Sequence, residues 1–219
     1  GNARGDFRNY RVEFGSGLNP TEWQQIGPEH GEQVENNVLE VLNTDGLGEG
    51  LYTMRLLVAR GDGSVREWKT RFTVDKTPPS VVISDPKPDR LYVLEDDEQI
   101  NINAIVNDTW AMDRVEFAID GGYFVTSTVA PFNERWRIAW PDLGPVEGGN
   151  ATNWPGFESE DPDISPGRWR KFGNGAAVVV TSNGTVLQSH VFKVRAVDRA
   201  GNEAVSEEVR VYVRLKKKE

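Results

Sequence analysis

Apolar and polar residues alternate one for one from end to end of this chain, the pattern of an extended strand that buries one face and wets the other. Tyr10, Val12 and Phe14 stand against Arg11 and Glu13; Tyr52, Met54, Leu56 and Val58 against Thr53 and Arg55; Trp68, Phe72 and Val74 against Lys69 and Arg71. The pattern returns in Ile100, Ile102, Ala104 and Val106, in Val115, Phe117 and Ile119, and in Trp136, Ile138 and Trp140. It recurs again in Phe192, Val194 and Ala196, and in Val209, Val211, Val213 and Leu215. Helical spacing never competes, so the chain is expected to be all-β. Its 22 Gly and 12 Pro supply the turns that many short strands require.

Asn183-Gly184 is the strongest hairpin signal, because both residues tolerate the positive φ of a type I′ turn. A domain boundary falls at Asp75-Lys76-Thr77-Pro78-Pro79, where a strand ending at Val74 meets two prolines that fix φ and cannot donate. Residues 1–76 and 77–219 are therefore expected to be tandem immunoglobulin-like β-sandwiches on a short, stiff linker. The second stretch exceeds the ~100 residues of such a sandwich. The surplus lies at about 141–175, where Pro141, Pro145, Pro155, Pro162 and Pro166 interrupt the alternation. This stretch is expected to be a long loop insertion, and its Trp154, Phe157 and Trp169 argue that part of it packs on the sandwich or forms a binding face.

A net charge of −9 leaves no general attraction to nucleic acid or anionic lipid, and no nucleic-acid partner is expected. The one basic run, Lys216-Lys217-Lys218, reads as a solvated tail. The lack of cysteine excludes disulfides, thiol nucleophiles and cysteine-based zinc sites. No apolar run is long enough to insert in a membrane. The chain opens on Gly1 rather than Met, and we expect an excised piece of a larger protein whose export signal lies elsewhere.

Gly1-Asn2-Ala3, Tyr10-Arg11-Val12-Glu13-Phe14-Gly15, Asn19-Pro20, Trp23, Ile26-Gly27 and Gly50-Leu51-Tyr52-Thr53 resemble a β-sandwich module of bacterial exported proteins. Thr77-Pro78-Pro79, Asp113-Arg114-Val115-Glu116-Phe117, Asp120-Gly121 and the run from Ala196-Val197-Asp198 to Ala200-Gly201-Asn202 are similar to bacterial immunoglobulin-like, fibronectin type III-like modules. The two in this order, with Ala130-Pro131-Phe132-Asn133-Glu134, resemble the C-terminal extension of class A penicillin-binding proteins, the transglycosylase–transpeptidases of peptidoglycan synthesis. The resemblance implies an accessory role outside the cell at its envelope, on the outer face of the cytoplasmic membrane. It also implies a further apolar strand ahead of Gly1, so the first sandwich is expected to lack an edge.

No catalytic residue emerges from the sequence. Ser84-Asp85-Pro86-Lys87 has the letters of a Ser-x-x-Lys nucleophile, but Pro86 and Pro88 deny it a helix and no Lys-Thr-Gly accompanies it. His30 and His190 fall in different expected units, and no Gly-x-Ser-x-Gly elbow exposes a serine. Glu158, Glu160, Asp161 and Asp163 crowd one loop rather than facing each other across a cleft.

Two binding readings are left. In an immunoglobulin-like sandwich the B–C and F–G loops share one end, which would gather Asp108 and Asp113 with Asp198 and Asn202 as oxygen ligands for calcium. The preferred reading is that Asp198 and Asn202 bond their own turn around Gly201, so no cofactor is assigned. Trp154 and Trp169, outside the alternating core, are the candidates for stacking on glycan, against packing on their own sandwich; Trp23, Trp68, Trp136 and Trp140 fit core or strand faces. The sequence thus reads as a monomeric, non-catalytic pair of modules that space, orient or anchor an envelope enzyme and touch cell-wall glycan or envelope proteins. The alternative is an adhesin or the accessory domain of a secreted hydrolase, binding a surface protein or polysaccharide.

Overall fold

The computed structural model describes residues 6–93, 99–138, 168–171, 177–180 and 186–215, all of them strands, turns or irregular chain without a helix. The chain divides into two compact units, Gly1–Lys76 and Thr77–Glu219.

In the first unit, β1 (Asn9–Ser16), β2 (Gln24–His30), β3 (Gly50–Ala59) and β4 (Val65–Val74) form one antiparallel sheet in the order β2-β1-β3-β4. Val12 pairs with Ile26 on one side and Leu56 on the other, Leu56 pairs with Trp68, and Phe14–Met54–Thr70 form the next row. Period two therefore puts Tyr10, Val12, Phe14, Ile26 and Val58 on one buried face. The second layer over that face is irregular chain, residues 33–47, from which Val34, Leu39, Leu42 and Leu47 pack down. Tyr10 donates its hydroxyl to the Leu39 carbonyl at 3.3 Å, and His30 bonds Glu40. Gly27 (φ 62°) lies under that carboxylate, where a Cβ would collide with Glu40.

The second unit stacks two sheets. One has the order β10-β7-β5, from β5 (Ser80–Asp85), β7 (Gln99–Asn107) and β10 (Asn133–Arg137). The other runs through β8 (Met112–Ile119), β9 (Gly122–Ser127), β13 (Val186–Asp198), β15 (Val209–Leu215) and β6 (Leu91–Val93) in the order β9-β8-β13-β15-β6, only β15–β6 being parallel. Short β14 (Glu203–Val205) pairs with β13, and β11 (Arg168–Lys171) with β12 (Ala177–Val180) extends the sheet along the first half of β13. Between the layers, Ile100, Ile102, Val115, Phe117, Phe192, Val194, Val211 and Val213 lose essentially all contact with water. Each such side chain stabilises the fold by roughly 1.5–3 kcal/mol. β8 turns into β9 through Asp120 (φ 51°) and Gly121 (φ 87°), a two-residue hairpin of the kind that requires positive φ twice.

β11 is one departure from the sequence reading. Residues 168–171 lie in the stretch expected to be loop, yet pair with β12, Trp169 opposite Val179. Four residues with one aromatic among three cations are too short to display a period.

The two units share a strand. Arg11-Val12-Glu13-Phe14 of β1 recurs as Arg114-Val115-Glu116-Phe117 of β8. In the first, Val12, Glu13 and Phe14 face Leu56, Arg55 and Met54 of β3; in the second, Val115, Glu116 and Phe117 face Ala196, Arg195 and Val194 of β13. β2-β1-β3 thus corresponds to β9-β8-β13 strand for strand, and β1–β3 to β8–β13 register for register.

Candidate functional site

Each shared strand carries an ion-pair ladder on its outer face. Arg11 Nε donates to Glu13 Oε1 at 2.6 Å, Arg55 Nε to Glu13 Oε2 at 2.7 Å, and Arg55 Nη1 to Glu67 at 3.2 Å. The Arg55 guanidinium also lies 3.9 Å from the centre of the Trp23 ring. In the second unit Arg114 Nε reaches Glu116 at 2.8 Å, Arg195 Nη1 reaches Glu116 at 3.1 Å, and Arg195 Nε reaches Glu203 at 3.1 Å. Burial works to raise the Glu13 carboxyl, but the bonds from Arg11 and Arg55 outweigh it and hold the group below the usual carboxylate range. Carboxylates neutralised in this way are braces between strands, unsuited to giving up or taking protons near neutrality.

The inner face of the first unit is different. Segment 33–47 covers the β1 side but leaves a trough of about 550 Å³ along β3 and β4. Val12, Met54 and Leu56 form its floor, Val38 and Leu39 one bank, Trp68 and Thr70 the other. Val38 is 66% exposed and Trp68 51%. Irregular chain covers less of a sheet than a second sheet does, and the outer strand is what it fails to reach.

In the second unit His190 Nδ1 is 2.7 Å from Asp120 Oδ2, and Asp120 Oδ1 accepts from Val191 N at 2.9 Å. His190 is 2% exposed, its ring 4.6 Å from Trp136, and among the described residues its Nε2 has no partner. The His190 ring is closed off in the core beside Trp136, whereas Asp120 is half-buried and lines an open cavity of about 220 Å³ with Gly121, Lys193 and Glu208. Ser84, of the Ser-x-x-Lys letters, lies in β5 and donates its hydroxyl to the Asn103 carbonyl at 3.0 Å.

The structure brings together part of the expected loop cluster. Asp108 and Asp198 each offer a carboxylate oxygen within 4.8 Å of the other. Asp198 accepts from Asn202 N at 2.9 Å and from Asn202 Nδ2 at 2.7 Å, while Gly201 N donates to the Asp198 carbonyl at 3.3 Å. Asp108 caps Trp110 N at 2.8 Å, and Arg199 N bonds the Ala111 carbonyl at 3.0 Å, tying the two loops at one end. Asp113 is turned to Arg114, 2.7 Å away, and stands outside that group. Trp154 and the acidic run Glu158–Asp163 lie outside the described residues, and Trp169 is placed only as a member of β11.

Sequence reasoning missed the exposed aromatics Trp68 and Trp110. For Trp68 one signal was available: Thr70, two residues on, interrupts the apolar row of β4, as at a strand that is not fully covered.

The strand order β10-β7-β5 over β9-β8-β13-β15 in the second unit, and the matching β2-β1-β3 in the first, define a tandem immunoglobulin-like, fibronectin type III-like β-protein. No protein-family model matches the chain, and no curated protein does. Among solved structures it is similar to the fibronectin(III)-like modules of Clostridium thermocellum CbhA, at 18% identity and TM-score 0.40, covering 98% of this chain and 82% of that one. It is also similar to the FN1-FN3 domains of chicken CNTN1, at 12% identity and TM-score 0.32, covering 95% and 57%. A third is dimeric latent PorU from Porphyromonas gingivalis, at 13% identity and TM-score 0.30, covering 99% of this chain and 17% of that one.

Proposed function

We propose that this chain is a non-catalytic accessory module of a larger exported protein, acting by contact and spacing at the cell envelope. The observation that carries this reading is the half-covered sheet of the first unit, which keeps Trp68 half in water over a floor of Met54 and Leu56. A patch of that kind is a mark of a contact surface. Carboxylates of each unit are engaged in ladders and turns: Glu13 and Glu67 with Arg55 and Glu40 with His30 in the first, Glu116 with Arg195 and Asp198 with its own turn in the second.

The parent is a peptidoglycan-synthesising penicillin-binding protein in this proposal, supported by the motif resemblance around Arg114-Val115-Glu116-Phe117 and Ala130-Pro131-Phe132. Trp154 and Trp169 are the side chains offered to cell-wall glycan. The test is incubation of the chain with purified peptidoglycan, reading both retention and release of soluble fragments. Retention without release is expected, weakened in the double variant Trp154→Ala, Trp169→Ala. Release above the buffer rate would contradict a non-catalytic role, and absence of retention would contradict the glycan contact.

A further inference from the structure

The shared Arg-Val-Glu-Phe strand lets the inner faces of the two units be matched residue by residue. In the second unit the row Val115–Ala196–Ala204 and its neighbours Phe117 and Val194 lie beneath the other sheet, whose strand β5 packs across β13 and β14. Val115, Phe117, Val194 and Ala196 are 0% exposed there, and Ala204 packs against the same core. In the first unit the matching row is Val12–Leu56–Trp68, followed by Phe14–Met54–Thr70. Among the described residues no strand crosses β3 and β4. The cover is instead held over β1 and β2 by the bonds of Tyr10 to Leu39 and of His30 to Glu40. What is left open is the ground that β5 occupies in the second unit.

We propose that the trough of the first unit is the seat of an extended polypeptide strand from a partner protein, laid across β3 and β4 as β5 is laid across β13 and β14. This deepens the contact-module reading and rests on it. An extended strand presents a side chain to one face about every 6.6 Å, twice the rise per residue. Two apolar side chains at that spacing, in the manner of Val81 and Ile83, reach the Met54–Leu56 floor and the Trp68 ring, while the residues between them face solvent. The lining favours a polypeptide over a sugar. Its floor is aliphatic, its one carboxylate, Glu40, is already bonded to His30, and Asn36, Asn37 and Lys69 complete the lining with groups that suit the backbone of an extended chain. A strand seated in this way lies face-on to the sheet and is held by its alternating apolar side chains, as one sheet of a sandwich is held on the other.

The probe is a synthetic peptide of residues 78–88 of this chain, which contains β5, titrated into the isotopically labelled full chain. A control peptide carries Val81→Asp and Ile83→Asp. The expected result is saturable NMR shifts at Leu39, Met54, Leu56, Trp68 and Thr70 with the first peptide and none with the second. Met54→Asp should weaken the peptide by about tenfold or more, the loss of one central apolar anchor. Val38→Asp, on an exposed bank and without risk to the core, should weaken it in the same direction. The proposal is overturned by shifts equal for both peptides, by no saturation at millimolar peptide, or by shifts confined to residues 79–215. It is also overturned if N-acetylglucosamine oligomers saturate the trough residues and the peptide does not. Release of soluble fragments from peptidoglycan would overthrow the accessory reading and leave this titration unaffected.

Discussion

Glu13 and Arg55 face each other across β1 and β3, and one Glu13 oxygen takes Arg55 Nε at 2.7 Å while the other takes Arg11. The Glu13 side chain is 10% exposed and that of Arg55 21%, so both charges are largely out of water. Arg55→Met should therefore destabilise the first unit by about 2–3 kcal/mol, because it leaves a buried carboxylate with half its partners. The double variant Glu13→Leu, Arg55→Leu should recover much of that loss. Thermal melts of the three proteins check both statements.

The same carboxylate sets an acid limit. Its folded pKa lies below its unfolded value of about 4.3, so the pair's contribution is whole above that pH and fades as pH falls through the lower folded value. Melting temperature in the wild type should fall more steeply as pH drops below about 4.3 than in Glu13→Gln, whereas near neutrality the two slopes should agree. Equal slopes in acid would show that Glu13 is not held low.

Asp120 serves three ends at once: the positive φ of the β8–β9 turn, the Val191 amide and the His190 ring. Asp120→Ala should cost about 2–3 kcal/mol, from a buried and a half-buried donor left without an acceptor and a left-handed backbone that alanine resists. Asp120→Asn, which tolerates that backbone and keeps a side-chain acceptor, should cost clearly less. Denaturant unfolding at pH 7 distinguishes the two variants.

Asp198 closes its own turn by taking two bonds from Asn202. Asp198→Ala should lower stability by about 1–3 kcal/mol with or without calcium. The melting temperature of the wild type should stay unchanged in millimolar calcium. A rise with calcium that vanishes in Asp198→Ala would assign the Asp108–Asp198 pair to a metal.

The inward and outward sides of the strands were legible because period two is a local property of the chain, readable within short windows such as Tyr10 to Phe14 or Val209 to Leu215. What covers each face was not. Nothing between Gly31 and Glu49 says that irregular chain, rather than a strand, will lie over Tyr10 and Val12 and stop short of β4, and so Trp68 read as a member of a closed stripe. The ladders were hidden for another reason. Arg11 and Glu13 look like an ordinary wet face until Arg55, 42 residues away, and Glu116 until Arg195, 79 residues away, are brought opposite by the register. In the loop cluster, the expected sandwich topology put Asp108 and Asp198 at one end but could not show that Asp113 would turn to Arg114.

Side-chain contacts read by NMR around Trp68 and Arg55 test the register on which the ladder, the trough and the match between units depend. The Trp68 indole should contact the Leu56 methyl groups on the inner face, while the Arg55 side chain contacts Trp23 on the outer. Contacts between the Trp68 indole and the Arg55 side chain, with none to Leu56, would mean a sheet slipped by one residue and would contradict this register.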